Sequence, residues 1–361
     1  MAEKVLVAMS GGVDSSVAAY LLQQQGYACI GVTMRLYENE TAGIPRGHTC
    51  CSLDDVEDAR AVAYDLGMPY YVLNFTEEFD EKVIRKFVQV YQNGGTPNPC
   101  IDCNRYLKFD HLLNRARELG CDYIATGHYV QRWQDENGRW GLRKNDDPGK
   151  DQSYVLYSLT QDQLAHTLFP LGGMHKDAVR AIAEEQGLCN ARKHDSQDIC
   201  FVPDGDYARV IEINTGKKYP EGNFVTKDGK ILGRHKGIIR YTIGQRKGLG
   251  LALPQPMYVC EKRTDTNEVV LCTDDELFSR ELIADDFNWI AFERPDEPFR
   301  AKAKIRYSQS EQPSTVTPLD GGKVKVVFDE PQRAITPGQA AVLYDGEAVL
   351  GGGVIEPFSE N

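Results

Sequence analysis

The residues best suited to chemistry are a loop of serines and glycines near the start of the chain and two cysteines nearly a hundred positions apart. Ser10-Gly11-Gly12-Val13-Asp14-Ser15-Ser16 follows a short apolar run and precedes a helical stretch. Glycines at 11 and 12 let the backbone approach an anion closely, and the free N–H groups of a helix start favour negative charge. Ser10, Ser15 and Ser16 add hydroxyl donors. The plain alternative is a glycine turn whose helix is capped by Asp14 or Ser15. The coincidence of strand, loop and helix favours a phosphate cradle. It lacks the Gly-Lys-Ser/Thr ending of a Walker loop. Asp14 offers magnesium one carboxylate, a thin basis for a metal site.

The cysteines lie in two polar neighbourhoods. In Thr96-Pro97-Asn98-Pro99-Cys100-Ile101-Asp102-Cys103-Asn104-Arg105 two prolines stiffen an exposed loop, and Arg105 and Lys108 favour a thiolate at Cys103. Cys200 closes the polar run from His194 and precedes Phe201. Cys29, Cys121, Cys189, Cys260 and Cys272 sit in apolar surroundings and read as small buried hydrophobes. Cys50-Cys51 reads either as an accident of helix entry or as half of a four-thiolate zinc site completed by Cys100 and Cys103.

The elements that must position these groups alternate. Strand-like runs at 4–9, 28–34, 70–73 and 123–127 are separated by helical spacing at Val17/Tyr20/Leu21, Leu53/Val56/Ala59/Ala63 (with Ser52 as N-cap), Phe79/Val83/Phe87/Val90 and Leu112/Leu113/Ala116/Leu119. Strands joined by helices predict a doubly wound parallel α/β sheet. After Pro203-Asp204-Gly205 the chain turns glycine-rich and basic, with little helical periodicity. Short alternating runs at 301–307, 323–328 and 340–344 then predict a small antiparallel β-barrel. The expected domains are 1–204 (catalytic), 205–276 (central, basic) and 277–361 (barrel).

The 361 residues carry a net charge of −12, which argues against a surface coating DNA indiscriminately but not against a local basic patch. Residues 231–250 hold Arg234, Lys236, Arg240, Arg246 and Lys247 with His235 and no acid, and a two-residue period puts Lys302, Lys304 and Arg306 on one face. No apolar run is long enough for a membrane span, and the Met1-Ala2-Glu3-Lys4 start does not read as a signal peptide. Ten cysteines without such a signal point to a reducing, cytoplasmic setting.

The Ser-Gly-Gly-Val-Asp-Ser loop resembles that of ATP pyrophosphatases. Together with Thr96-Pro97-Asn98-Pro99 and Cys103, Gly127-His128-Tyr129, Lys150-Asp151-Gln152-Ser153, the Cys200 segment, Tyr241–Leu249 and Pro337-Gly338-Gln339-Ala340, it resembles the tRNA-specific 2-thiouridylases over almost the whole chain. The resemblance implies ATP held by Ala8, Met9, Ser10, Gly11, Gly12, Val13, Asp14, Ser15, Met34 and Gly127, with Mg2+. It implies a persulfide on Cys200, attack by Cys103 to leave a Cys103–Cys200 disulfide, and tRNA contacts at Asn98, Pro99, Cys100, His128, Lys150, Asp151, Gln152, Arg306, Tyr307 and Gln339. The implied partners are tRNAs for Lys, Glu and Gln, thiolated at the wobble uridine, and a sulfur-relay protein or cysteine desulfurase.

The family loop usually has aspartate where this chain has Cys100, which leaves that proton-carrying role to Asp102 or gives Cys100 another. A competing chemistry makes Cys100, Cys103 and Cys200 ligands of an iron–sulfur cluster. Two further alternatives are a pyrophosphatase amidating a small molecule and a non-catalytic RNA scaffold with a zinc knot.

Overall fold

A computed structural model describes residues 2–37, 53–194, 199–202 and 204–357. Its strands in chain order begin with β1 (Lys4–Ala8), β2 (Ala28–Arg35), β3 (Tyr70–Asn74), β4 (Tyr123–Ala125), β5 (Gln131–Gln134), β6 (Trp140–Arg143) and β7 (Thr167–Leu168). Next come β8 (Gly222–Val225), β9 (Ile231–His235), β10 (Tyr258–Arg263) and β11 (Glu268–Cys272). The last six are β12 (Phe278–Trp289), β13 (Phe299–Lys304), β14 (Gln312–Pro318), β15 (Val324–Arg333), β16 (Ala340–Asp345) and β17 (Ala348–Ile355).

Val5, Leu6 and Val7 are wholly buried, as a central strand covered on both faces requires. Val5 and Val7 join one apolar cluster with the helices Val13–Gln24, Leu53–Asp65 and Lys176–Glu185, while Leu6 faces another with Phe79, Phe87, Leu107 and Leu112. The result is the expected doubly wound parallel sheet, in the order β3-β2-β1-β4-β7. That order reverses direction beside β1, so the crevice at the ends of β1 and β4 is where such a sheet takes its ligand.

The central segment forms a four-stranded sheet in the order β10-β11-β8-β9. The expectation of little helical structure there is corrected by the helix Tyr207–Thr215. Asp206 caps it by accepting from Arg209 N at 3.0 Å, and Gly216 ends it at φ 63°. The predicted barrel is present: β12, β15, β14, β13, β16 and β17 pair antiparallel and close through β12–β17.

Strand–helix alternation through the first third missed the hairpin β5–β6. It leaves the parallel sheet and extends the barrel's sheet, with β6 pairing β17. Arg139 in its turn donates to the carbonyls of Ile290 (2.8 Å), Phe292 (2.8 Å) and Trp289 (3.3 Å). Arg105, just after Cys103, grips Asp286 of β12 with both terminal guanidinium nitrogens. No helix among the described residues is long and apolar enough to cross a membrane.

Because Arg139 gathers three carbonyls with one charged group, Arg139→Ala is expected to lower stability by about 2 kcal/mol. The first transition in urea unfolding, followed by tryptophan fluorescence, measures it.

Candidate active site

The phosphate loop is shaped by close backbone packing. Gly11 adopts φ 74°, and a Cβ there would lie 2.3 Å from the Asp55 carbonyl oxygen. Gly12, at the N-cap of Val13–Gln24, brings no side chain to the first-turn N–H groups. Gly127, just beyond β4, lies so close to that turn that a Cβ would be 2.8 Å from Ser15 N and from the Asp14 carbonyl carbon. Ser15 Oγ donates to Gly12 O at 3.0 Å and accepts from Ser10 N at 3.2 Å. Asn190 donates to Gly11 O (3.0 Å) and Ser16 Oγ (2.9 Å). Thr33 Oγ1 on β2 donates to Met9 O at 2.6 Å, and Met34 follows on the same strand. Backbone amides and small residues thus gather at the start of Val13–Gln24, an arrangement suited to phosphates.

Asp14 is already engaged. Lys176 Nζ, nearly buried, donates to its two oxygens at 2.7 and 2.9 Å, and Tyr129 OH donates at 2.6 Å. Lys176 was not legible from sequence, being a lone lysine at a helix start. Tyr129 was part of a recognised triplet but had no role. Among the described residues no three His, Cys, Asp or Glu side chains gather as metal ligands. Asp14 is the loop carboxylate that a magnesium ion held mainly by phosphates would draw on, in exchange for part of its bonding to Lys176. Cys100 is exposed and Cys103 buried, and they form no such group with Cys200, so the donor set does not fit an iron–sulfur cluster. Cys50 and Cys51 lie outside the described residues.

The two thiols border one core. Asn98 accepts from Cys100 N at 3.2 Å, capping the turn Pro99–Asp102, with Pro99 at its first position. Cys103 begins a π-helical run, Cys103–His111, an uncommon geometry often found at functional positions. It belongs to the large apolar cluster against which Cys200 also packs. Phe201 fixes the Cys200 segment, its ring 5.6 Å from Phe79 and 5.2 Å from Phe87, while Tyr37 OH donates to Cys200 O at 2.7 Å. The helix carrying Phe87 also carries Lys86, whose ammonium lies 2.6 Å from Asp102. One helix therefore braces both cysteine segments. Burial pushes the Asp102 carboxyl above the ordinary range, against the pull of Lys86.

The residues expected to meet tRNA fall into connected groups. Gln152 Oε1 accepts from Tyr129 N (3.0 Å), and the Asp151 carboxylate accepts from Ser153 Oγ (2.8 Å) and Asn145 N (3.1 Å). Tyr307 OH donates to Asp151 O at 3.1 Å. Burial pushes this phenol's pKa up, and neighbouring Asp151 and Cys100 add to the shift. Lys150 is half-buried beside them. Arg306 donates to the carbonyls of Arg333 and Ala334, and Gln339 Nε2 donates to Thr96 O at 2.8 Å.

His128 is buried against Phe109, with Nδ1 2.8 Å from Thr126 Oγ1. Burial holds its pKa well below the usual value, so the ring is neutral and packs the loop beside Gly127. Four expectations are corrected. Cys189 is exposed rather than a small buried hydrophobe, and of the Thr96–Arg105 segment only Cys100 is exposed, the rest being buried or half-buried. His235 is buried and bonded to Asn267 O at 3.1 Å, so it adds nothing to a positive surface. β13 ends at Lys304, so Arg306 lies beyond the strand's alternation. Arg240 is drawn toward Glu212 (3.3 Å) and Asp206 (3.7 Å), whereas Arg246 and Lys247 are exposed.

What the loop and the sheet define together is an ATP pyrophosphatase domain of the PP-loop class. Three family models match successive parts of the chain: a tRNA methyl transferase HUP domain over residues 3–204, a tRNA methyl transferase PRC-barrel domain over 210–273, and an aminomethyltransferase β-barrel domain over 279–355. The tRNA-specific 2-thiouridylase MnmA of Clostridioides difficile is 53% identical over 357 residues, covering 99% of each chain. That of Carboxydothermus hydrogenoformans is 54% identical over 356 residues, covering 98% of each. The chain belongs to the tRNA-specific 2-thiouridylase family.

Since Gly127 has no room for a methyl group, Gly127→Ala is expected to displace the first turn of Val13–Gln24 and weaken ATP binding roughly tenfold, given that a misplacement of about 1 Å costs about a hundredfold in such sites. Calorimetric titration with a non-hydrolysable ATP analogue reads this directly.

Proposed function

We propose that this chain is a tRNA-uridine 2-sulfurtransferase that adenylates the wobble uridine at O2 and replaces that oxygen with sulfur from a persulfide on Cys200. The observation carrying this reading is that the phosphate loop opens from the parallel sheet while both cysteine segments pack on the apolar core that covers one face of that same sheet. Oxygen at C2 is a poor leaving group, so it attacks the α-phosphate of ATP, pyrophosphate departs, and the N3 proton is lost. Amides at Gly11, Gly12 and Ser15, with Lys176 close by, are the groups available to the pyrophosphate. Magnesium, when bound, would spread the phosphate charge, with Asp14 as its protein ligand.

The terminal persulfide sulfur then attacks C2, and AMP leaves with the bonding electrons. Cys103 thiolate attacks Sγ of Cys200. The sulfur–sulfur bond to the base breaks toward the base, which takes a proton at N3, and a Cys103–Cys200 disulfide remains. A thiol reductant must reopen that disulfide before the next cycle, and a persulfide-bearing donor protein must recharge Cys200. Asp102, beside Cys103 and held by Lys86, is the carboxyl nearest in sequence to manage protons where Cys100 replaces the family's aspartate. Exposed Arg246 and Lys247, with Lys302, offer phosphate contacts despite the acidic whole. The substrates would be the tRNAs for Lys, Glu and Gln.

The test is mass analysis of nucleosides after incubating the protein with ATP, tRNA, a thiol reductant and a cysteine desulfurase with cysteine as the persulfide source. Wild type is expected to yield 2-thiouridine with tRNA-dependent pyrophosphate release. Cys103→Ser and Cys200→Ser are expected to yield none while still binding ATP. Full activity in either variant would remove the two-cysteine mechanism.

A further inference from the structure

Lys262 on β10 is 9% exposed and, among the described residues, has no carboxylate partner. Its ammonium donates to Gly95 O at 3.1 Å and lies 5.5 Å from the centre of the Tyr91 ring. Burial pushes its pKa down to about 8. An ammonium buried without a counter-charge costs stability, so packing alone does not account for it.

The place it reaches is specific. Residues 94–96 lead into the Asn98–Cys103 turn and are held from three directions. A Cβ on Gly94 would lie 3.2 Å from Lys262 O, and one on Gly95 would lie 2.8 Å from Val90 Cγ1 and 3.0 Å from Pro337 O. Thr96 N donates to Pro337 O at 2.8 Å, and Gln339 returns a bond to Thr96 O. The central sheet thus touches the catalytic loop through its edge strand β10, while the basic stretch that begins at β9 occupies the opposite edge.

We infer that Lys262 is a positioning residue: its bond to Gly95 fixes the start of the loop presenting Asn98, Cys100 and Cys103, so that the central domain sets the geometry of the nucleophile. This rests on the sulfurtransferase reading above for its catalytic consequence, but not for its structural one.

Lys262→Met keeps the apolar stem and removes the donor, and Lys262→Arg keeps a charged donor. With Lys262→Met, thiolation kcat is expected to fall roughly ten- to a hundredfold, with KM for ATP and tRNA changed less than about twofold. Its Tm is expected not to fall, because a buried charge has been removed. The Thr96 amide is expected to exchange hydrogen about tenfold faster, and Lys262→Arg to recover part of kcat. An unchanged kcat, or a kcat that falls together with Tm while Thr96 exchange stays the same, overturns the inference. Should wild type make no 2-thiouridine, the proposed function falls. The Thr96 exchange rates then decide for or against Lys262 on their own.

Discussion

The absence of room for a side chain at two glycines governs the rest of this molecule. Gly11 lies against the Asp55 carbonyl and Gly127 against the first turn of the helix that follows β1. Those contacts bring the turn after β1, the turn after β4 and the start of the helix Leu53–Asp65 close enough for backbone N–H groups, rather than long side chains, to meet an anion. Rigid amides need no reordering when an anion arrives, which is the main advantage of backbone over side-chain recognition. The surrounding bonds from Asn190, Thr33 and Tyr129 hold that packing in register.

The thiols are mounted differently. Neither depends on the phosphate loop for its support; both depend on apolar burial. Phe201 is 1% exposed between Phe79 and Phe87, and truncating such a ring typically costs about 3–5 kcal/mol. That anchor fixes the residue after Cys200. The Lys86–Asp102 pair does the same for the residue before Cys103. Each cysteine thus adjoins a residue that is firmly held, which is the support the proposed sulfur transfer would need from the chain around it.

The sequence made much of this legible where the signal was local. The Ser10–Ser16 loop was readable because its glycines sit between an apolar run and a helical one, and the barrel strands because they alternate. The helix Tyr207–Thr215 carried its signals too, with Asp206 before it, Val210 and Ile211 on one side and Gly216 after it. The basic, glycine-rich stretch beyond it masked them. Lys176 and Lys262 were not legible by any local rule. Each is a single lysine whose meaning comes from a partner at residue 14 or 95, and only the folded chain brings those partners near. His235 failed for the opposite reason, since a cation among cations reads as surface until its burial is seen.

The hairpin β5–β6 belongs by chain order to the nucleotide-binding half, yet its hydrogen bonds go to β17 at the other end of the polypeptide. The two halves are therefore stitched rather than strung. A fragment ending near residue 204 would leave those two strands with a bare edge and the Arg139 guanidinium with nothing to grip. Modular shuffling of the nucleotide-binding half onto another tail is closed off by that stitch, and the ribosome must release the last strand before the first half can finish its own surface.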